Sequence, residues 1–369
     1  MSVRRPAHAA FLQERVDAGD LPGACWVLAG PDGILDEGAV GRAVIRPEIV
    51  EASTDTIYDL ASLTKPLVTS FLFLAIGRRI GLNAADQAWR FLPEIDRLDK
   101  RAITLEHLLT HTAGMPAWVP FYLQARDMRG YLKQLRDRPP ESRPGSRVVY
   151  SCAGYIMLGE ILSRAAAAPL DRLAGEAIFE PLGLTSTGFN PPRAWHARVA
   201  ATEDSCEYEK ALARPASDGY TGFRKGIIRS QVHDQNAWVL GGVAGNAGLF
   251  STARETAVLA AEYLGDRVTR ARGLLDPASI ERARRDMTPG LEEARSYAFR
   301  LAARGETAAG PSLPPAAFGH NGFTGTSVWL DPVRCRVYVL LTNRVHPSAG
   351  ASADMLALRR RFHDLASAL

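Results

Sequence analysis

Ser62 and Lys65 are the residues whose types and spacing offer the most chemistry. They stand three apart in Tyr58-Asp-Leu-Ala-Ser62-Leu-Thr-Lys65-Pro-Leu-Val-Thr-Ser-Phe-Leu-Phe-Leu74, at the start of a strongly apolar helical run. Positions i and i+3 share a helix face, so the Ser62 hydroxyl and the Lys65 amine can come within hydrogen-bond reach. A serine is a poor nucleophile until a neighbouring base takes its proton, and a desolvated lysine is one such base. Amides at a helix N-terminus also stabilise negative charge developing at this spot. A Ser-x-x-Lys quartet arises readily by chance, so the pair needs partners elsewhere in the chain.

Other reactive-looking groups carry less. His107 and His111 are four apart and could share a metal, but no third ligand with suitable spacing stands nearby, and we read them as structural. Gly241-Gly-Val-Ala-Gly-Asn-Ala-Gly248 is glycine-dense, yet it lacks the Gly-Lys-Ser/Thr ending of a phosphate loop. Tight backbone packing near a site explains it better. Cys25, Cys152, Cys206 and Cys335 show neither metal-ligand spacing nor a disulfide framework, which fits a reduced compartment. The net charge of +4 over 369 residues is too small to argue for nucleic acid or an anionic membrane. Arg282-Ala-Arg-Arg285 and Arg359-Arg-Arg361 read as solvated helix faces. The amino terminus lacks the apolar run of a secretory signal, and no window reaches about 18 apolar residues, so a cytoplasmic protein with no membrane span is expected.

The elements that must position Ser62 follow from patterning. An amphipathic helix is expected over 6–19. A hairpin follows, its strands 23–30 and 34–45 joined at Pro31-Asp-Gly33. The helix bearing Ser62 and Lys65 runs to about Gly81, with Pro66 tolerated in its first turn. Thr104 caps a short helix closed near Gly114, and further helices are expected over 120–137, 155–167, 170–179, 254–264 and 276–285. The polar, Gly- and Pro-rich stretch 190–236 reads as long loops. The period then switches, and 322–331 and 336–343 read as strands before a last helix from Ala353 to Ser367. Strands at both ends with helices between imply an α/β fold. Its antiparallel sheet is flanked by helices and built from both chain termini, with a mostly helical inserted subdomain. We expect one domain over 1–369, with an α/β subdomain near 1–65 and 290–369 and a helical one near 66–289.

Two further motifs give Ser62 its partners. Tyr150-Ser-Cys152 follows about ninety residues later, and His320-Asn-Gly322 opens a strand near the carboxyl end. With Ser-x-x-Lys, this order resembles the class C β-lactamase-like serine hydrolases, which include esterases, D-amino-acid peptidases and penicillin-binding proteins. Leu108-Leu-Thr-His-Thr-Ala-Gly-Met-Pro116, Pro144-Gly-Ser-Arg-Val-Val-Tyr-Ser151, Pro181-Leu-Gly-Leu184, Ala247-Gly-Leu-Phe-Ser-Thr252 and Gly319-His-Asn-Gly-Phe-Thr-Gly-Thr-Ser327 extend the resemblance over roughly 8–365. It implies a two-step acyl transfer in which Ser62 attacks a carbonyl and water later releases the acyl-enzyme. Lys65 and Tyr150 act as a coupled base pair, since a free tyrosine of pKa about 10 needs a neighbouring cation to be useful at neutral pH. The oxyanion hole would be the backbone amides of Ser62 and Phe323, the latter on the strand after His320-Asn-Gly322.

The departures from the family pattern bear on substrate. Cys152 stands where the lactamases carry an asparagine that bonds the lysine and the substrate amide, and a thiol cannot replace those bonds. His320 stands where many members place a carboxylate-binding lysine, and near neutral pH a histidine is only partly charged. Asn321 removes a threonine hydroxyl that contacts the same carboxylate, and Gly322 completes the substrate-side triplet. Arg229-Ser-Gln-Val-His-Asp234-Gln-Asn236 also resembles a segment of a subset of these hydrolases, which would place Asp234 and Asn236 at the rim of the site or as caps of its loop. These changes favour small esters or amides. The alternatives are a D-amino-acid peptidase or β-lactamase acting on cell-wall-derived peptides or β-lactams, and a non-catalytic penicillin-binding-like protein. A small ester, amide or peptide is the expected partner, with no nucleic acid and no membrane. The oligomeric state stays open, and the chemistry calls for no cofactor and no metal.

Overall fold

The computed structural model describes residues 6–267, 271–349 and 354–369. A seven-stranded sheet runs in the order β3-β2-β1-β10-β9-β8-β7, and every pairing in it is antiparallel. Its strands are β1 (Gly23–Gly30), β2 (Gly33–Val44), β3 (Val50–Glu51), β7 (Arg300–Leu301), β8 (Phe318–Asn321), β9 (Ser327–Asp331) and β10 (Arg336–Thr342). The central contact joins the chain's two ends, with Val27 of β1 opposite Val339 of β10. β4 (Tyr58–Asp59), β5 (Gly188–Phe189) and β6 (Leu249–Ser251) form a second small sheet in the order β4-β6-β5. This is the expected α/β architecture, with the antiparallel sheet drawn from 23–51 and 300–342.

Strand period explains the two cores. Successive side chains point to opposite faces. Tyr338 and Leu340 therefore pack with Trp26, Leu28, Trp329, Leu12, Leu358 and Phe362, against the Ala7–Asp17 and Met355–Ala366 helices. Val337, Val339 and Leu341 face the other way, into a larger core with Val27, Phe71 and the apolar side of the Ala253–Ala261 helix. Helices on both faces make β1 buried along its whole length.

Several boundaries differ from expectation. The stretch after Ser62 is not one helix. A 3-10 turn (Ala61–Leu63) leads to a π-helical run (Lys65–Ser70), then an α-helix (Phe71–Ile76) and a 3-10 turn (Gly77–Ile80) closed by left-handed Gly81. The expected helix over 120–137 divides into Phe121–Leu123 and Met128–Asp137, because the Asp127 carboxylate accepts from Gly130 N and starts a new helix. The helix expected from Tyr155 begins at Cys152, capped by Ser151, whose Oγ accepts from Gly154 N at 3.0 Å. The carboxyl-terminal pair of strands is three. His320 and Asn321 end β8, and Phe323 lies in the turn to β9 rather than on a strand. That turn closes because Gly322 N donates to Thr326 O at 2.7 Å. The last helix spans Met355–Ala366, and Ala353, where its pattern begins, lies outside the described residues, as does the segment 1–5.

The Cys152–Ala166 helix is apolar on nearly every side, and Gly159 lets the glycine-dense loop approach it. A Cβ on Gly245 would meet Tyr155 O at 2.1 Å and Gly159 Cα at 2.9 Å. The approach fixes Asn246, the next residue, against the lysine of the Ser-x-x-Lys pair.

Candidate active site

Ser62 sits on a strained corner. Ala61, just before it, has φ +47°, an uncommon value for a residue with a Cβ. Asp59 holds that corner, its Oδ1 accepting from Ala61 N at 2.8 Å and its Oδ2 from His233 N at 2.6 Å. Asp59 is fully buried, and burial pushes its carboxyl up from the ordinary range. No local residue pattern marks this role.

Lys65 is buried with 0% exposure, so its ammonium must find partners within the protein. It donates to Ser62 Oγ at 2.9 Å and Asn246 O at 3.0 Å, with a longer contact to Cys152 Sγ at 3.6 Å. The Cys152 thiol thus keeps a weak form of the lysine contact that the sequence comparison denied it. Burial opposes the charged lysine, but the negative charges that Cys152, Tyr150 and Asp234 carry when ionised outweigh it, and the pKa is raised overall. Burial also raises the Cys152 thiol, which is therefore neutral near pH 7.

Tyr150 stands beside the pair, with Lys65 Nζ 5.0 Å from its ring centroid. His111 lies between the rings of Tyr150 and Tyr155, at centroid distances of 4.5 and 4.9 Å, and its Nδ1 accepts from Ser151 N. Burial, then Arg295 and Lys65, push His111 well below its usual pKa, so it is a neutral spacer. His107 forms a capping box with Thr104. Arg295, absent from the sequence reading, places its guanidinium carbon 5.4 Å from the Tyr150 centroid and is held there by Glu293. Nothing in its local sequence marks it, because Tyr150, 145 positions earlier, reaches it only through the fold.

His320 corrects an expectation. Burial, then Lys65 and Arg295, hold it well below the usual histidine pKa, so it is neutral rather than partly charged. Its Nδ1 lies 2.9 Å from Asn321 O, which assigns the proton to Nδ1 and leaves Nε2 an acceptor. Asn321 turns its Oδ1 toward Trp329 Nε1, at 3.4 Å. Gly322 is required where it is, since a Cβ there would meet Thr326 Oγ1 at 2.1 Å and Leu60 O at 2.6 Å. Arg359, read from sequence as part of a solvated face, is 7% exposed and donates from Nη2 to Gly322 O and Thr326 O.

Asp234 combines its two readings. It caps the Gln235–Val239 helix through Ala237 N, accepts from Asn246 Nδ2 at 3.0 Å, and lines a cavity with Ser62. Asn236 does not belong to the site rim. Its side chain is buried and donates to Val119 O at 2.8 Å, because the helix turns that face into the protein.

Two cavities meet at Ser62, Tyr150 and Phe323. One, of about 610 Å³, is lined further by His320, Asn321, Gly322 and four arginines: Arg295, Arg300, Arg344 and Arg359. The other, of about 240 Å³, carries Trp118, Cys152, Tyr208 and Asp234. A group at the junction of two pockets is placed to meet a bond whose two sides occupy one pocket each. No cluster of three or more metal-ligating side chains occurs among the described residues, and none of their helices is long and apolar enough to cross a membrane.

The model of the family described as Beta-lactamase matches residues 8–361. The chain belongs to the beta-lactamase family. It is thus a serine hydrolase of the beta-lactamase fold. This beta-lactamase-family chain is 31% identical over 370 residues to a protein of Escherichia coli (strain K12) named "Putative D-alanyl-D-alanine carboxypeptidase", covering 91% of this chain and 81% of that one. Its fold matches a penicillin-binding protein homolog from Caulobacter crescentus with a TM-score of 0.74 at 21% identity, covering 98% and 96% of the two chains. It also matches EstCE1, a hydrolase with promiscuous acyltransferase activity, with a TM-score of 0.72 at 22% identity and 97% of each chain.

Proposed function

We propose that this hydrolase forms an acyl-enzyme on Ser62 and acts, esterase-like, on small esters or amides. The observation that carries the nucleophile is the 2.9 Å bond between Lys65 Nζ and Ser62 Oγ, made by a lysine with no solvent exposure. An ammonium cannot accept a proton, so in this reading the proton leaving Ser62 passes to Tyr150, with Lys65 holding the charge beside it. The Ser62 oxygen bonds to the substrate carbonyl carbon, and the bond to the leaving group breaks as that group takes the proton. Water then repeats the sequence and frees Ser62. The amides of Ser62 and Phe323 form the oxyanion hole in this reading. The turn carrying Phe323 is braced by Arg359 through Gly322 O. The ester preference rests on His320, whose neutral ring offers a substrate carboxylate an acceptor rather than a cation.

A second reading, a D-amino-acid peptidase, draws on the four arginines lining the larger cavity, which supply the positive charge that His320 lacks. A panel of short p-nitrophenyl esters, D-amino-acid dipeptides and cephalosporins separates the two. Ester turnover that vanishes in Ser62→Ala supports the first reading. Dipeptide turnover exceeding ester turnover in kcat/KM supports the second, and full activity in Ser62→Ala refutes the mechanism.

A further inference from the structure

The smaller cavity holds a carboxyl that the acyl chemistry leaves unused. Glu209, on the Glu207–Leu212 helix, lines it together with Trp118, Tyr208, Leu212 and Phe323. Glu209 is 6% exposed. Its Oε1 accepts from Gln235 N at 2.9 Å, whereas its Oε2 is buried with no hydrogen-bond partner. A buried carboxyl in that state is costly, and burial of this kind clusters where a ligand completes the set.

The nearby basic side chains are engaged elsewhere. Arg224 donates to Gln235 Oε1, Val232 O and His233 O. His233 Nε2 lies 3.0 Å from Glu203 Oε2, and Lys210 binds Glu207. The Tyr122 hydroxyl also faces Glu209; burial, then the Glu209 charge and its pull on the hydroxyl proton, raise its pKa, so it offers the carboxylate a neutral donor but no positive charge. Asp234 adds further negative charge beside the pocket. The result is a small chamber with aromatic walls and an acidic floor that makes no direct ion pair, opening onto Ser62. Aromatic faces attract an ammonium, and a carboxylate with a free oxygen accepts its N–H groups.

We propose that Glu209 selects substrates carrying a protonated amine on this side of the scissile bond, as aminoacyl esters or amides with a free α-amino group do. The inference rests on the acyl-enzyme reading above and names a substrate class within it. At about 240 Å³ the chamber suits one amino-acid-sized group. Burial, then Asp234, push Glu209 up to about 7, while His233, the Gln235 amide and Arg224 pull it down. The carboxylate that binds the ammonium is therefore gained as pH rises through about 7.

The test compares alanyl and propanoyl thioesters, which differ by the amine alone, between pH 5.5 and 7.5. The kcat/KM ratio of alanyl to propanoyl should exceed about tenfold at pH 7.5, shrink at pH 5.5, and fall at least tenfold at pH 7.5 in Glu209→Gln. Inhibition of propanoyl turnover by propylammonium in the unmodified protein should strengthen over the same pH range, a readout independent of how the variant folds. If propanoyl turnover depends on Ser62 but the ratio is the same in Glu209→Gln, or if propylammonium inhibition ignores pH, the proposal is overturned. If propanoyl turnover survives Ser62→Ala, the acyl-enzyme reading fails instead.

Discussion

Arg359 Nη2 lies 2.8 Å from Gly322 O, tying the last helix of the chain to the turn beside Ser62. The same nitrogen reaches Thr326 O at 3.1 Å, so one guanidinium clamps both ends of that turn. Arg359→Met keeps much of the volume but takes a charged donor from two buried carbonyls, leaving each only its backbone partner. Such a change should cost about 2–4 kcal/mol. The expected result is a lower Tm and at least a tenfold fall in kcat/KM below the transition, with Arg359→Lys intermediate. Unchanged kcat/KM in a destabilised Arg359→Met would show that the turn does not position reacting groups.

Lys65 should be harder to replace than its charge suggests. Arginine keeps the cation but cannot fit its fork among Ser62 Oγ, Asn246 O and Cys152 Sγ. Both Lys65→Arg and Lys65→Ala should lower kcat by roughly a thousandfold or more, near the loss in Ser62→Ala, because the groups act as a unit. Ester turnover measures the fall in kcat, and the rate of labelling by a fluorophosphonate probe shows whether attack by Ser62 is the step that the Lys65 variants lose.

Stability should fall in mild acid. His363 is fully buried, donates through Nδ1 to Ala308 O, and is lowered by burial to about 4. The unfolded chain, with an ordinary histidine near 6.5, binds its proton first as pH falls. The contribution is therefore intact above pH 6.5 and is lost between about 6.5 and 4, amounting to about 3 kcal/mol. His111 and His320, also held neutral by burial, act in the same direction. Denaturant unfolding at pH 7.0, 5.5 and 4.5 should show the decline, with a shallower slope in His363→Asn.

Gly245→Ala should be among the most disruptive single-methyl changes. Its Cβ would fall 2.1 Å from Tyr155 O, and neither the backbone of the Cys152–Ala166 helix nor the loop can yield cheaply. The loop must lift, taking Asn246 O away from Lys65 Nζ. We expect a loss of more than about 2 kcal/mol together with loss of activity. The same substitution at Gly81, where no atom lies within 4 Å, strains only φ and should be milder. Equal Tm values for the two variants would contradict this account.

Local patterning was enough to read the Ser62–Lys65 pair, the β1–β2 hairpin, the capped Thr104 helix and the strands that close the sheet. Each is set by residues a few positions apart, through period, capping or turn chemistry. The order of Ser62, Lys65, Tyr150 and His320 was legible as a family pattern, since order survives without coordinates. What the chain order could not supply is anything that depends on burial or on distant partners. Asn246 reaches Lys65 across 181 positions, and Arg359 reaches Gly322 across 37. The Arg359 cluster reads as a solvated face until packing buries one member. Asn236 reads as a rim residue until its helix turns inward. His320 looks half-charged until desolvation makes it neutral, and nothing in the residues around Glu209 marks the buried acid that the fold makes of it. Short-range geometry is written in neighbouring residue types, whereas charge state and polar satisfaction are set by what the folded chain brings near and by the water it excludes.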